Sequence, residues 1–356
     1  MMKQFRCFLL ALAVAATSCL SPAHDEVRNV IYLIGDGMGL AHASLLEIEE
    51  GFRPTAFSQA QSVALVSTRS ANNRVTDSAA AGTALATGTK INNSAVGVTP
   101  DSLELTTMME KARDLGLGTG LVVTCYLQHA TPAAFYANVP RRSQYDAITE
   151  QLVACDFDVM IGGGARWMTD EQWQTMADKN YRIARTEAEM QAADEGRLFA
   201  VLADEYLQRA PERGDYLPTA TAKALELLEK NKEGFLLMVE GSQIDGAAHA
   251  NDAAYLLAEM QDFERTIQVA MDFADTHPGT LVVVTADHET GGLTMPSGKG
   301  DFTLSESGID YRFGTGSHSA IRVPAYFYGA GADRFGGLID NTELAKQLMQ
   351  ELGLAE

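Results

Sequence analysis

The sequence predicts an α/β fold: a three-layer sandwich with a large, mostly parallel central sheet covered by helices on both faces. Four short runs of aliphatic and β-branched residues, each followed at once by a polar or glycine-rich turn, have the length of buried strands. Helical patterns with apolar residues three to four apart lie between them. Alternating strands and helices are typical of parallel sheets, which bind ligands beyond the carboxyl ends of their strands. The predicted strands are 30–34, 120–124, 235–239 and 281–285, and the predicted helices are 103–115, 219–230 and 253–274.

The 356 residues are 46% hydrophobic, which is enough for a large buried core. No internal repeat or low-complexity stretch divides the chain, so we expect a single domain over 27–356. Two segments lack clear strand or helix patterns, the charge-rich 167–215 and the loop-like 291–316. We expect both to be surface inserts on this domain.

The N-terminus is typical of an export signal. A basic start precedes the apolar run 8–16, which is too short to span a bilayer. We expect residues 1–19 to form the signal, with cleavage between 18 and 23. Ser21-Pro22-Ala23 fits an ordinary signal peptidase, whereas the four residues ending at Cys19 resemble a bacterial lipobox, in which Cys19 would carry a lipid anchor. Both remain open, and either predicts an exported protein, periplasmic or lipid-anchored to the cell envelope.

The charge balance excludes one class of function. With 27 basic and 47 acidic residues, the formal net charge is -20, and no basic patch for nucleic acid is visible. The same field repels anionic substrates. Any phosphate chemistry therefore has to depend on local positive charge from arginines, helix N-termini or metal ions.

Two cysteines, Cys125 and Cys155, lie in the body of the chain, each in or beside an apolar run. Their surroundings favour small buried residues in neighbouring strands over a disulfide framework, although export leaves a single bridge open. Their spacing does not match a metal-binding motif.

Asp36 follows the first predicted strand, between two glycines. A dinucleotide-binding turn is the alternative, but the pattern from Gly37 places His42 where the last small residue belongs, and an aspartate in the turn would repel pyrophosphate. A carboxylate on such a turn fits a hard cation better.

Further metal-ligand types cluster after predicted strands. Asp245 and His249 are four apart, on one face if the segment is helical. Asp287 and His288 directly follow a strand, and His318 lies in a turn of small residues. A lone histidine is usually a surface or core residue, but this many aspartates and histidines at strand ends and turns are not explained by packing. Mixed nitrogen and oxygen ligands suit zinc, with oxygen-rich neighbours left for magnesium.

Ser78 lies in a run of small residues that reads as a turn into a tightly packed helix. Asp77 and Ser78 are good N-cap residues, and capping is the structural interpretation. The functional interpretation places Ser78 at the positive helix end beside a metal, where its alkoxide is stabilised without a histidine base. The two interpretations are compatible.

Six short motifs occur in a fixed order, and together they are highly specific. They are Asp36-Gly37-Met38-Gly39, Thr76-Asp77-Ser78-Ala79-Ala80 with Thr87-Gly88, His129-Ala130-Thr131-Pro132-Ala133, Glu240-Gly241-Ser242-Gln243-Ile244-Asp245, Asp287-His288-Glu289-Thr290-Gly291-Gly292 and Gly316-Ser317-His318. From about residue 27 to the C-terminus the chain resembles alkaline phosphatase. The resemblance implies a homodimeric hydrolase of small phosphate monoesters that works through a phosphoserine on Ser78.

The resemblance also implies a site for two zinc ions and one magnesium ion. Its ligand sets are Asp245, His249 and His318 for one zinc, Asp36, Asp287, His288 and the Ser78 oxygen for the other, and Asp36, Thr131 and Glu240 for magnesium. Counted from Thr131, it favours Arg142 as the residue that binds phosphate through a bidentate guanidinium. A slip of one residue would exchange Arg142 for Arg141.

Two positions depart from the best-known bacterial pattern. His129 stands where many bacterial members carry aspartate, which leaves the identity of the third metal open. Gly246 stands where a lysine or larger residue often follows the zinc-binding aspartate, which removes a contact to phosphate. We expect His129 and Asp77 to lie just outside the ligands.

Three alternatives define the limits of this interpretation. A phosphodiesterase or phosphonate hydrolase of the same superfamily shares the two-zinc platform, but Arg142 and a magnesium trio favour the doubly charged monoester. A sulfatase needs a Cys/Ser-x-Pro-x-Arg motif, which the segment from Ser78 to Gly82 lacks. A non-enzymatic metal-binding surface protein is disfavoured by the intact nucleophile.

Overall fold

The computed structural model describes residues 26–298 and 308–355. The predicted signal, 1–19, and part of the 291–316 segment lie outside these ranges. The strands are β1 Asn29–Gly35, β2 Ser62–Ser67, β3 Gly118–Tyr126, β4 Val159–Gly163, β5 Tyr181–Ala184, β6 Arg197–Val201, β7 Phe235–Gly241, β8 Thr280–Thr285, β9 Glu289–Thr290, β10 Leu293–Thr294, β11 Arg312–Phe313, β12 His318–Ser319, β13 Val323–Gly329 and β14 Gly337–Asp340. The helices are α1 Leu40–Glu49, α2 Ser78–Thr87, α3 Met108–Asp114, α4 Ala130–Ala133, α5 Tyr145–Ala154, α6 Asp170–Asp178, α7 Glu187–Gln191, α8 Ala210–Arg213, α9 Tyr216–Leu228, α10 Gln243–His249, α11 Ala253–Thr276 and α12 Asn341–Glu351.

Ten strands form one central sheet in the order β14-β2-β13-β8-β1-β7-β3-β4-β6-β5. All neighbours are parallel except β13, which runs antiparallel to both β2 and β8. Helices α1, α9 and α11 form one packed layer against the sheet, and α2, α3 and α12 form the other. The predicted three-layer fold is confirmed.

The four strands predicted from sequence, β1, β3, β7 and β8, are neighbours at the centre of the sheet. Their residues are buried almost throughout, which explains why they read as continuous apolar runs. Because these strands are parallel, their polar ends meet at one edge. Asp36, Glu240 and Asp287 lie there, and the turn after β3 brings His129 beside them.

The segment 167–215 is more than a surface insert. It contributes β5 and β6, which pair in parallel with each other and with β4 at the edge of the sheet. The β5 strand has only four residues and includes an exposed arginine, so it lacks the apolar run by which buried strands are recognised. The residues after β6 then lie near the carboxyl ends of the central strands, where Tyr206 and Arg209 line the same cavity as Asp36.

The two body cysteines are buried and free, without a disulfide between them. Cys125 lies in β3, as expected. Cys155 follows helix α5 and does not lie in a strand, which corrects the expectation of neighbouring strands. Within 26–298 and 308–355, no helix is both long enough and apolar enough to cross a membrane.

Candidate active site

Asp36 is placed by the tight turn after β1. Its side chain is 1% exposed, and neither carboxylate oxygen accepts a hydrogen bond from a described residue. Burial, followed by the nearby Asp287 and Asp245 carboxylates, raises the pKa of Asp36 well above its ordinary value. The next residue, Gly37, has φ of +72°, and a Cβ there would lie 2.8 Å from an Asp245 oxygen. The turn therefore requires glycine and brings the two carboxylates close together.

Asp287 and His288 follow β8, the neighbour of β1. Asp287 Oδ1 accepts hydrogen bonds from the backbone N–H groups of Gly37 and His288, at 3.0 and 2.9 Å. His288 is fully buried, and burial lowers its pKa. Its Nε2 lies 3.2 Å from Asp287 Oδ2 and 3.5 Å from Asp36 Oδ1. A neutral imidazole thus faces two carboxylates.

Ser78 is the first residue of α2. Asp77 caps the helix by accepting a hydrogen bond from the Ala80 N–H at 3.1 Å, which leaves Ser78 at the positive end. The Ser78 Oγ lies 3.1 Å from His288 Nε2. Every residue from Ser78 through the penultimate position of α2 is buried, so the small side chains allow this helix to pack inside the molecule. The serine is therefore held beside the first group of possible metal ligands, which is Asp36, Asp287 and His288.

Asp245, His249 and His318 form a second group. Asp245 and His249 are one turn apart on α10, with Oδ2 and Nε2 3.2 Å apart. His318, on β12, has its Nε2 3.2 Å from His249 Nε2 and 3.8 Å from an Asp245 oxygen. The Nδ1 atoms of His249 and His318 donate to the backbone oxygens of Gly316 and Thr76, at 2.8 and 2.9 Å. When both rings are neutral, this leaves each Nε2 with a lone pair close to the other Nε2, as in metal sites.

A third group lies below the turn after β3. Glu240, on β7, is fully buried, and burial raises its pKa to about 8. Neither Glu240 Oε1 nor the Thr131 hydroxyl has a partner among the described residues. The Cys125 thiol donates to Glu240 Oε2 at 3.4 Å. Cys125, His129 and Glu240 each offer a ligand atom within 4.8 Å of the others.

The structure places Arg142 in this site and leaves Arg141 exposed. An Arg142 Nη donates to His129 Nε2 at 3.2 Å, and the other lies 3.5 Å from an Asp77 oxygen. Burial and the Arg142 charge lower the pKa of His129 to about 3, so the ring is neutral. One arginine therefore connects the serine helix to the third group.

The three groups fit bound cations. Both carboxylate oxygens of Asp36 and one oxygen each of Asp287 and Glu240 are buried without a hydrogen-bond donor among the described residues, and such uncompensated burial is costly. Three sets of three residues have ligand atoms within 4.8 Å of one another. The first set is Asp36, Asp245 and His288, and the second is Asp245, His249 and His318. The third set is Cys125, His129 and Glu240. Every predicted site residue lies in or beside these groups.

Other cleft residues were not predicted. A cavity of about 510 Å³ is lined by Asp36, His129 and Asp245, and also by Tyr206, Arg209 and Tyr255. Arg209 stacks on the Tyr255 ring at 4.1 Å. Tyr206 and Arg209 come from the segment expected to be a surface insert, which carries no motif. Thr290, whose hydroxyl lies 3.2 Å from His288 Nδ1, was within a quoted motif, but nothing in the sequence indicated its contact.

Comparisons with known proteins agree with this geometry. The alkaline phosphatase family profile matches residues 27–310. Alkaline phosphatase 4 of Bacillus subtilis is 36% identical over 290 residues, 76% of this chain and 63% of that protein. Alkaline phosphatase of Escherichia coli K12 is 32% identical over 94% of this chain and 88% of that protein. The solved alkaline phosphatase of the Antarctic bacterium TAB5 has a TM-score of 0.86 and 33% identity over 93% of this chain and 99% of its own. The chain belongs to the alkaline phosphatase family and is a phosphomonoesterase.

Proposed function

We propose that this enzyme hydrolyses phosphate monoesters through a phosphoserine on Ser78, at a site with two zinc ions and a third divalent cation. One observation carries the proposal. The Ser78 hydroxyl lies at the N-terminus of α2 and 3.1 Å from His288, beside the two ligand groups that share Asp245. In this proposal His288 serves as a metal ligand, and the cation that it holds would activate the serine in place of a histidine base.

The ligand types support the metal assignment. Imidazole with carboxylate suits zinc in the Asp36 and Asp245 groups, whereas the oxygens of Asp36, Thr131 and Glu240 can hold a further divalent cation. When bound, such cations lower the pKa of the serine hydroxyl and stabilise negative charge on the leaving oxygen. A histidine-to-aspartate variant of the TAB5 enzyme, 32% identical to this chain, is described with magnesium bound in its M3 site. That neighbour supports a third site in this fold.

The chain's residues then have defined roles. The Ser78 proton passes to water, and Oγ attacks phosphorus in line; the P–Oγ bond forms as the bond to the alcohol oxygen breaks, and the alcohol leaves after gaining a proton. Arg142 donates two hydrogen bonds to the non-bridging oxygens in place of its contact with His129. Water next attacks the phosphoserine from the His249 side, releasing phosphate and restoring Ser78. Two inversions give net retention at phosphorus.

The test combines trapping with substrate comparison. Purified enzyme is incubated with a phosphate monoester and quenched in acid, and its peptides are searched for phosphorylated Ser78. We expect phosphoserine at Ser78, at least two zinc ions per chain, and faster turnover of a monoester than of the matched diester. A preferred diester would replace the proposal with a phosphodiesterase. Monoester turnover with inversion at phosphorus would exclude the covalent intermediate.

Export and dimerisation belong to the same proposal. The basic and apolar pattern of residues 1–19 supports export, either as a periplasmic protein or as one attached to the cell envelope by a lipid on Cys19. The resemblance to alkaline phosphatases supports a homodimer. Mass spectrometry of the mature N-terminus in the native host, and light scattering of the purified enzyme, test the two parts separately.

A further inference from the structure

The third ligand group contains a thiol that the resemblance does not assign. Cys125 is fully buried, and its Sγ lies 3.4 Å from Glu240 Oε2. Its other hydrogen-bond acceptor is the backbone oxygen of Tyr126, also at 3.4 Å. Both contacts are long, because a thiol is a weak donor. The sulfur is therefore close to a buried carboxylate without being strongly bound to it.

The backbone fixes this thiol in place. Val123 on β3 is paired with Glu240 on β7, and Cys125 lies two residues further, on the same face of the sheet. The Cys125 N–H donates to Ser242 Oγ at 3.2 Å, and the Ser242 N–H donates to Thr124 Oγ1 at 2.9 Å. Two adjacent strands therefore hold the sulfur and the carboxylate together before any ligand binds.

Around them lie polar atoms without partners. Glu240 Oε1, Thr131 Oγ1 and His129 Nδ1 are buried and have no hydrogen-bond partner among the described residues. Glu240 and Thr131 are 0% exposed, and His129 is 9% exposed. Buried polar atoms are almost always paired. Several unpaired atoms around one point indicate that a ligand occupies it.

We propose that Cys125 is a ligand of the third metal site, together with His129 and Glu240, and that this site prefers a thiophilic divalent ion such as zinc to magnesium. The inference rests on the proposed function. Sulfur, imidazole nitrogen and carboxylate oxygen form a donor set typical of zinc, whereas magnesium favours six oxygen ligands. The ligand atoms already lie within 4.8 Å of one another. On binding, the thiol proton passes to solvent and no oxidation occurs.

The same binding affects Arg142. The guanidinium only donates hydrogen bonds, so in its contact with His129 Nε2 that nitrogen accepts and the ring proton lies on Nδ1. A metal at Nδ1 requires the proton on Nε2, which ends this hydrogen bond. Occupancy of the third site then releases one side of Arg142 for phosphate.

Cobalt(II) provides a test that does not depend on activity. The full chain is stripped of metal by a chelator and titrated with cobalt(II), and absorption is followed in the near ultraviolet, where thiolate-to-cobalt charge transfer occurs. We expect the fully developed band to correspond to one cobalt ion per chain, the ion in the third site, because the other two ligand groups contain no cysteine. Cys125→Ser should lack it and bind zinc in the third site more than about tenfold more weakly, since even loss of a partner outside the ligands costs roughly 10- to 100-fold.

Cys155→Ser is the matched control. Cys155 is also buried and free but precedes β4, at the opposite edge of the sheet. It should retain the full band. Two results would overturn the inference. One is a charge-transfer band that survives in Cys125→Ser. The other is that magnesium displaces zinc from the third site equally well in wild type and variant. Cys125→Ala repeats the measurement if the serine variant does not fold. If only this inference is wrong, the enzyme still binds two zinc ions and still hydrolyses monoesters. If the proposed function is wrong, the two zinc ions and the monoester turnover are not found.

Discussion

The Asp245 carboxylate lies 3.2 Å from the His249 imidazole, one turn further along α10. The hydrogen bond that His249 donates to the Asp245 carboxylate raises the pKa of His249 to about 9. Burial is the largest single influence on Asp245 and raises its pKa, but the contacts with His249, His288 and Thr290 together outweigh burial and lower this pKa below its ordinary value. Without metal the two residues form an ion pair at neutral pH, and a metal has to displace the histidine proton.

This pair predicts a pH-dependent stability of the metal-free protein. A raised histidine pKa contributes stability that is complete below the ordinary value of 6.5 and is lost as pH rises through about 9. The lowered Asp245 pKa contributes above the ordinary value of 3.8 and is lost below it. We expect His249→Gln to lower the melting temperature of chelator-treated protein most at pH 5 to 6 and hardly at all at pH 10. Equal losses in melting temperature at both pH values would contradict this.

Replacing the nucleophile separates chemistry from folding. Ser78→Ala removes Oγ but keeps the Asp77 cap and the small-residue packing of α2. We expect a folded, metal-loaded protein whose kcat falls roughly a thousandfold or more, because nucleophile loss in a preorganised site is severe. Some hydrolysis by direct water attack is compatible with the proposal. Monoester turnover and metal content measured on the same sample test it, and near-normal turnover would reject Ser78.

Arg141 and Arg142 form a natural matched pair. Only Arg142 contacts His129 and Asp77, and Arg141 is exposed. We expect Arg142→Ala to lower kcat/KM by about 10- to 100-fold, the value of one or two charged hydrogen bonds, and to weaken inhibition by inorganic phosphate. Arg141→Ala should change both by less than about threefold. The opposite ranking in inhibition constants would show that phosphate binds through Arg141.

The sequence predicts the centre of this molecule better than its periphery. Continuous apolar runs mark β1, β3, β7 and β8 because parallel strands buried on both faces need no polar alternation. The ligand residues follow those strands directly, so their neighbourhood is a consequence of topology. Short edge strands such as β5 and the loop after β6 carry no such signal, since their burial depends on contacts distant in sequence.

The sequence also does not predict which side chains contact each other within the site. The contact between Cys125 and Glu240 arises from the register of β3 against β7, in which Val123 faces Glu240. Register depends on the whole sheet, and a shift of one residue would turn Cys125 to the other face. The resemblance located Arg142 but left Arg141 open, because only three-dimensional packing decides which of two adjacent side chains turns inward.

His129 controls the charge of the third site. Its ring is buried and neutral, and its Nδ1 lacks a partner. Because hard cations prefer anionic oxygen, we expect His129→Asp to strengthen magnesium binding by more than about tenfold and to slow phosphate release. Magnesium is titrated into stripped, zinc-reloaded wild type and variant while turnover and bound magnesium are measured. Indistinguishable curves, with only the melting temperature changed, would place His129 outside the metal site.

A buried ion cluster holds a loop that lines the cleft. Arg213 is paired with both Glu259 and Asp262 of α11 at 2.6 Å, and all three side chains are at most 3% exposed. Arg213 also donates to the backbone oxygen of Gln208 at 3.0 Å, and Glu259 accepts from the Ala210 N–H at 2.8 Å. The cluster therefore joins α11 to the residues that present Tyr206 and Arg209 to the cleft.

Removing one partner of this cluster should affect both stability and substrate binding. Glu259→Ala leaves Arg213 only partly compensated, and we expect unfolding to become easier by about 3 to 5 kcal/mol, as for other broken buried pairs. The freed loop should raise KM for phosphate monoesters more than it lowers kcat, because the nucleophile and ligand groups are carried by other elements. Asp272→Ala, on an exposed position of the same helix, should change stability by less than about 0.5 kcal/mol. Urea unfolding and steady-state kinetics on both variants decide the matter: a destabilised Glu259→Ala with unchanged KM would show that the cluster supports the core but does not position the loop.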